Sequence, residues 1–216
     1  MLIQGDSILW VGTYRKGLNR IDLKAKTVSR VYFEELPKNQ EQAGVQALHL
    51  DEDQNLWIGS QNGLFVLRND GVIRALGTGP EAALSDEEIL CFEEDNQGRM
   101  WIGTRNGGLN ILNMKSFIED RGQPQVLQYL PRRDGSSVFN RSVSALKLDR
   151  GGNMWIGTSN GLNFVNPRGE PIKLINEESS VRGLLSHDRI ASLANSRKGN
   201  VYIGTDGGGI DLYNAS

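Results

Sequence analysis

Met154-Trp155-Ile156-Gly157-Thr158 decides how the rest of this chain is read. The phrase has four siblings: Leu9-Trp10-Val11-Gly12-Thr13, Leu56-Trp57-Ile58-Gly59-Ser60, Met100-Trp101-Ile102-Gly103-Thr104 and Val201-Tyr202-Ile203-Gly204-Thr205. Their aromatic positions are separated by 47, 44, 54 and 47 residues. Recurrence at that period marks a supersecondary unit that must stack on its neighbours to bury its apolar faces.

Working outward from the aromatic, the same chemistry recurs in step. Val45, Ile89, Val143 and Ile190 stand twelve residues earlier, and the small residues Ala47, Cys91, Ala145 and Ser192 ten earlier. Leu48, Phe92, Leu146 and Leu193 complete a short apolar strand with β-branched entry residues. Asp51, Asp95, Asp149 and Ser196 come next, then Gln54, Gly98, Gly152 and Gly199, which is hairpin chemistry: a side chain that caps the turn and a residue of positive φ. The phrase is the second strand, with Trp57 and Gly59 on one side and Leu56, Ile58 and Ser60 on the other. A turn such as Gln61-Asn62-Gly63 or Ser159-Asn160-Gly161 leads to a third strand, and a more polar fourth strand follows. The apolar residue opening the third strand lies seven after the aromatic in units two and four and eight after it elsewhere, so alternate units carry a longer turn or a bulge.

Four antiparallel strands at this period describe an all-β fold, a β-propeller, with units at about 1–34, 42–76, 86–130, 140–175 and 187–216. Trp10, Trp57, Trp101, Trp155 and Tyr202 are read as structural residues, since each indole buries about 150–250 Å². The first unit lacks its early apolar positions and the last stops near Leu212-Tyr213. The expectation is three complete blades flanked by two incomplete ones, either as an open arc or as a ring with strands missing, and in both cases a segment of a larger propeller.

Hydrophobic-x-x-Leu, Asp-x-x-Gly-x-Leu-Trp-Ile-Gly-Thr, then Asn-Gly-Leu or Gly-Gly-Leu resembles the two-component regulator propeller repeat. Leu84-Ser85 and Leu185-Ser186, ahead of Ile89 and Ile190, fit as well. Tyr202, Ser196 and Gln54 depart from the pattern, and residues 115–141 carry extra length. The resemblance implies a periplasmic sensor, with paired seven-bladed propellers outside the inner membrane. An immunoglobulin-like domain, a membrane helix and a histidine kinase or diguanylate cyclase output would follow. It further implies carbohydrate ligands and, as partners, further blades, a second propeller or a homodimer.

The composition fits this. The 216 residues are 38% hydrophobic and 23% charged, with formal net charge −2 and no Lys/Arg cluster, so nucleic acid is not an expected partner. One cysteine, Cys91, excludes an internal disulfide and a thiolate metal cluster, and it is read as a small packed residue. No signal peptide or apolar run of membrane-spanning length is found in these residues.

Candidate chemistry is sparse, and no metal or cofactor is expected. Asp51-Glu52-Asp53-Gln54-Asn55 opens like a calcium loop but has Leu56 and Asn62 where glycine and the bidentate glutamate belong. Gly77-Thr78-Gly79-Pro80 lacks the lysine of a phosphate loop. Glu87-Glu88 and Glu93-Glu94-Asp95 read as a solvated loop and strand edge. His49 sits at a variable position and reads as exposed, whereas His187 falls where Asp86 and Asn140 recur and reads as a turn cap. Asn140 and Asn214 open glycosylation sequons, which matter only in a secreted setting.

Antiparallel topology supplies the remaining inference. The turn after strand two and the loop entering strand one emerge on one rim. There Arg15, Lys16, Gln61, Asn62, Arg105, Asn106, Ser159, Asn160 and Asp206 join Asp86, Asn140 and His187, and the insertion around Arg132-Arg133-Asp134 opens onto it. Loops on a rigid scaffold are where binding usually resides. Three readings remain: a non-catalytic module taking a small polar ligand on this rim, a protein-interaction scaffold, and a lyase resembling the streptogramin lyases, which needs a His and Glu pair.

Overall fold

A computed structural model describes residues 1–32, 44–71, 73–76, 78–79, 82–119, 124–132, 137–166, 173–176 and 185–214. Blade 1 comprises β1 (Leu2–Gln4), β2 (Ile8–Thr13), β3 (Gly17–Asp22) and β4 (Thr27–Val31). Blade 2 comprises β5 (Val45–Leu50), β6 (Leu56–Ser60), β7 (Gly63–Leu67) and β8 (Ile73–Leu76), and a two-residue ladder, β9 (Thr78–Gly79) with β10 (Ala82–Ala83), follows it. Blade 3 has β11 (Ile89–Glu94), β12 (Arg99–Thr104), β13 (Leu109–Asn113), the short helix α1 (Met114–Glu119) and β14 (Val126–Tyr129). Blade 4 has β15 (Val143–Leu148), β16 (Met154–Thr158), β17 (Gly161–Val165) and β18 (Lys173–Ile175). Blade 5 has β19 (Ile190–Asn195), β20 (Val201–Thr205) and β21 (Gly209–Tyr213). Strands pair in chain order within each sheet, all antiparallel.

Two expectations need correction. The first blade has four strands, because Leu2, Ile3 and Gln4 pair with Trp10, Leu9 and Ile8; its first strand is shortened rather than missing. The extra length after β13 begins with a helix that the strand pattern hid. Asn113 Oδ1 caps it by accepting the Ser116 N–H at 2.9 Å, and Met114 and Phe117 turn inward, Phe117 lying 5.8 Å from the Trp57 ring. The last blade has three strands among the described residues, as read. Positions 33–34, 42–43, 72, 120–123, 167–172 and 215–216 of the expected units lie outside the described residues.

Each of blades 1–4 buries its Trp face against the Ile face of the next. Trp10 and Leu18 pack with Val45, Leu56, Ile58 and Phe65; Trp57, Leu64 and Val66 pack with Ile89, Met100, Ile102 and Leu112. Trp101, Leu109 and Ile111 meet Val143, Leu146, Met154 and Ile156, and Trp155 and Leu162 meet Ile190, Val201 and Ile203. First strands β5, β11, β15 and β19 lie side by side, which makes the arrangement radial.

The phrase glycine closes each joint. A Cβ at Gly12 would lie 2.6 Å from Val45 Cγ1; at Gly59, 2.6 Å from Ile89 Cγ2; at Gly103, 2.7 Å from Val143 Cγ1; at Gly157, 2.5 Å from Ile190 Cγ2. Each β-branched residue therefore occupies the space a side chain would take. A bulge just inside each first strand, between Val45/Ala47, Ile89/Cys91, Val143/Ala145 and Ile190/Ser192, shifts the entry residue out of simple alternation. By contrast, the extra residue in alternate units lengthens the turn: Thr13 faces Gly17 and Thr205 faces Gly209, but Ser60 faces Gly63.

Beneath Trp57, Trp101 and Trp155, the hairpin aspartate does more than cap. Asp51 accepts the Asn55 N–H at 2.8 Å and the Trp57 Nε1–H at 2.9 Å; Asp95 and Asp149 accept from Trp101 and Trp155 at 2.8 and 2.9 Å. Gln4 Oε1 does the same for Trp10 at 2.9 Å. The hairpins then turn on positive φ at Gly98, Gly152 and Gly199, and on Gln54 at φ 64°. Left-handed backbone costs a non-glycine residue about 1–2 kcal/mol, partly offset by glycine's greater freedom when unfolded. Gln54→Gly is expected to raise stability by about 0.5–1 kcal/mol, read as a higher urea midpoint at unchanged slope.

Candidate functional site

The rim predicted from topology exists. On it the turn after the second strand is tied by backbone bonds to the loop entering the first strand of the same blade. Gln61 N–H reaches Gly44 O at 3.0 Å, Arg105 N–H reaches Glu88 O at 3.0 Å, Ser159 N–H reaches Ser142 O at 3.2 Å and Asp206 N–H reaches Arg189 O at 2.8 Å. The neighbouring blade is tied in as well, by Gly63 N–H to Glu87 O, Gly108 N–H to Arg141 O and Gly161 N–H to Asp188 O at 2.7–2.8 Å. From blade 2 to blade 5 the rim is thus a continuous backbone lattice with side chains standing on it.

Half of the twelve candidate side chains bond to that lattice or to side chains standing on it. Gln61 Oε1 accepts the Gly44 N–H, Asp86 Oδ2 the Asn106 N–H at 2.7 Å, and Asn140 Oδ1 the Ser142 N–H at 2.8 Å. His187 Nδ1 accepts the Arg189 N–H at 3.1 Å, the turn cap expected of it. Arg105 pairs with Glu88 at 2.6 Å and Asp206 with Arg189 at 3.0 Å. Asn62 and Asn160 donate backbone N–H groups to Ser60 and Thr158 hydroxyls. Arg15, Lys16, Asn106, Ser159 and Asn160 are exposed at the turn tips and Asn62 is half-buried. Of the insertion, Arg132 is described and exposed, whereas Arg133 and Asp134 lie outside the described residues.

A recurring rim partner escaped the sequence reading. The residue after the apolar opening of the third strand reaches up to the entry loop. Asn110 Oδ1 accepts the Ser85 N–H at 3.0 Å while its Nδ2 donates to Ser85 Oγ at 2.8 Å. Asp211 Oδ2 accepts the Ser186 N–H and hydroxyl at 2.9 and 3.0 Å. Asn163 accepts the Phe139 N–H at 3.1 Å, but its buried Nδ2 has no partner among the described residues, because Phe139 stands where the others have serine. The signal lay in the series Asn19, Asn110, Asn163, Asp211, polar residues within an apolar strand.

The acidic run is not a solvated edge, and His49 is not simply exposed. His49 Nε2 lies 3.1 Å from Glu94 Oε2, across the joint between blades 2 and 3. Glu93 accepts the Lys147 ammonium at 2.5 Å and the Leu148 N–H at 3.0 Å, across the next joint. Glu88 accepts the Gln46 amide at 2.9 Å. This row varies along the chain because each residue matches a neighbouring blade rather than its own repeat. Cys91 fills its small-residue position, its thiol 3.5 Å from Val143 O and pushed up in pKa by burial.

Two clefts open on the opposite rim, at the hairpins between first and second strands. One of about 330 Å³ is lined by Asp51, Glu52, Asp53, Glu94, Lys115 and Glu119 among others, and one of about 290 Å³ by Asp149, Arg150, Asn153, Lys198 and Asn200 with flanking glycines. Among the described residues no group of three or more His, Cys, Asp or Glu is placed to hold a metal ion. No helix among them is long and apolar enough to cross a membrane.

Residues 83–106 and 137–160 match the model of the two component regulator propeller, spanning the entry loop through the second strand of blades 3 and 4. No curated protein matches the chain. Among solved structures, 99% of the chain superposes on the extracellular domain described for the hybrid two component system BT4673 of B. thetaiotaomicron, with TM-score 0.79 and 23% identity. PorZ, a surface component of the type-IX secretion system of Porphyromonas gingivalis, gives TM-score 0.75 at 20% identity over 97% of the chain and 31% of its own. A streptogramin B lyase gives TM-score 0.65 at 13% identity, over 98% of the chain and 66% of its own. These likenesses concern the fold, and the chain spans about a quarter of the BT4673 domain, 26%. Residues 83–106 and 137–160 are thus similar to the two component regulator propeller unit.

Proposed function

We propose that the chain is a non-catalytic, ligand-binding part of a bacterial sensor. It would act outside the cytoplasmic membrane and bind a carbohydrate or similar polar solute on the rim that carries Arg15, Asn62, Asn106 and Asn160. The observation that carries this reading is the rim itself: backbone bonds within and between blades 2–5 hold its turns, and polar tips, exposed at Asn106 and Asn160 and half-buried at Asn62, stand on them. Such a platform hydrogen-bonds a ligand with little reorganisation, which favours specificity. The repeat family and the likeness to extracellular domains of two component systems support the sensing role. Ligand binding would shift the conformational balance of an attached output module.

The test is a thermal-shift panel of oligosaccharides and polar metabolites, repeated on Asn62→Ala/Asn160→Ala. A ligand present at 100 times its Kd stabilises by about 2.7 kcal/mol, a shift of several degrees. The reading expects at least one such ligand, with the shift abolished in the double variant. No shift from any member contradicts it. A shift that survives there but disappears in Asp53→Asn/Lys198→Ala moves the site to the opposite rim.

A further inference from the structure

Blades 3 and 5 tie the loop entering their first strand to their third strand through a serine hydroxyl. Blade 4 makes the same tie without one. In blade 3, Asn110 Nδ2 donates to Ser85 Oγ at 2.8 Å, and that hydroxyl donates in turn to Gly107 O at 2.8 Å. In blade 5, Ser186 Oγ lies 3.0 Å from both Asp211 Oδ2 and Gly208 O. Asn163 repeats the first half of this device, accepting the Phe139 N–H at 3.1 Å as Asn110 accepts that of Ser85. The second half is lost, since position 139 carries a benzyl group. Asn163 is 0% exposed, and its Nδ2 meets no acceptor among the described residues. Turning the amide over does not help, because Nδ2 would then face the Phe139 N–H. A second orphan lies in the same loop: Ser137, two residues before Phe139 and 3% exposed, has a hydroxyl with no partner among the described residues. Blade 3 has Ala83 at that place. Relative to blade 3, the hydroxyl and the apolar residue have changed places.

We propose that one water molecule is bound here, accepting from Asn163 Nδ2 and donating to Ser137 Oγ. It does the work of the serine hydroxyl in blades 3 and 5. A buried polar group without a partner forfeits its hydration with no return, and such groups are rare in folded chains. Water bridging them is a regular part of protein interiors. The chemistry selects water over an ion, because neither group is charged and an ion would not recover its lost hydration. It also selects water over a larger solute, which would have to displace protein to reach two side chains this deeply buried. The consequence appears on the rim. With water as the clamp, position 139 is released from the serine of blades 3 and 5, and a half-buried phenylalanine stands beside Asn140 on the face proposed above to meet ligand. The water site itself does not depend on that reading.

Two measurements test the site. A crystal structure of the chain is expected to show one water within about 3.2 Å of both Asn163 Nδ2 and Ser137 Oγ. No solvent there, or a protein group bonded to Asn163 Nδ2 instead, overturns the proposal. The second measurement is urea denaturation of Ser137→Ala, a residue the loop of blade 3 already accommodates as Ala83. Loss of one partner of the water is expected to lower the urea midpoint at unchanged slope. If the Ser137 hydroxyl has no partner, its removal leaves the midpoint unchanged or raises it, and that result overturns the proposal. Phe139→Ser restores the hydroxyl of blades 3 and 5, so Ser137→Ala should cost less in that background. An equal loss in both backgrounds means that Ser137 and Asn163 share no water, and overturns it as well. If Phe139→Ser does not fold, the crystal structure and Ser137→Ala in the wild-type background decide.

Discussion

Gly103→Ala is expected to destabilise the protein by about 1–3 kcal/mol, while Gly204→Ala changes stability by less than about 0.5 kcal/mol. The two glycines hold the same place in the same phrase, so local propensity predicts equal effects. They differ in what lies across from them. A methyl group at position 103 meets the Cys91 thiol, and it lies 2.7 Å from both Val143 Cγ1 and the Val143 carbonyl oxygen of the next blade. A backbone oxygen cannot rotate away, so β15 as a whole must shift. At position 204 the methyl meets the Ser192 side chain, whose hydroxyl can turn. Urea denaturation of both variants, with unchanged slopes, separates the packing account from one based on strand propensity.

Asp95→Ala is expected to cost about 2–4 kcal/mol, more than an ordinary turn substitution. The carboxylate accepts from Trp101 Nε1, Arg99 Nε and the backbone N–H groups of Gln97 and Arg99. Its removal strands a buried indole N–H and leaves Arg99 without its counter-charge. Desolvation works to raise the Asp95 pKa, but the bonds from Trp101 and Arg99 and the two backbone donors outweigh it and hold the carboxyl below its usual value of 3.8. Because the folded value is depressed, this contribution is fully present above about pH 4 and is lost as pH falls through the folded value. Wild type should therefore lose stability on acidification below pH 4 more steeply than Asp95→Asn does. Equal acid profiles for the two proteins would show that Asp95 is not held ionised by these bonds.

The architecture was legible because a stacked repeat writes each structural requirement several times. Trp57 and Gly59 on one face and Ile58 on the other are readable from alternation alone, and the recurrence of Val45, Ile89, Val143 and Ile190 marked the inner strands. What alternation does not encode is partnership between units. The link from Asp95 to Trp101 joins two recurring positions whose separate roles were plain and whose contact was not. Pairs such as Glu93 with Lys147 and His49 with Glu94 were opaque for a deeper reason: complementary residues on adjacent blades need not repeat. Helix α1 was hidden because it occurs in one blade and is set by a single cap, Asn113. At the rim, topology placed Asp86 with Asn106 and His187 with Asp206, but nothing in the residues distinguishes a side chain that holds a turn from one free to meet a ligand.

The account rests on β-branched side chains filling the glycine sockets between blades, and a double-mutant cycle at Gly157 and Ile190 tests this most directly. Ile190→Ala alone should cost about 2–4 kcal/mol, and Gly157→Ala alone about 1–3 kcal/mol. If Ile190 occupies the space beside Gly157, most of the cost of Gly157→Ala should vanish in the Ile190→Ala background, a coupling of at least about 1 kcal/mol. Strictly additive losses would mean that the two residues do not meet, and the stacking of blade 5 on blade 4 described here would be wrong.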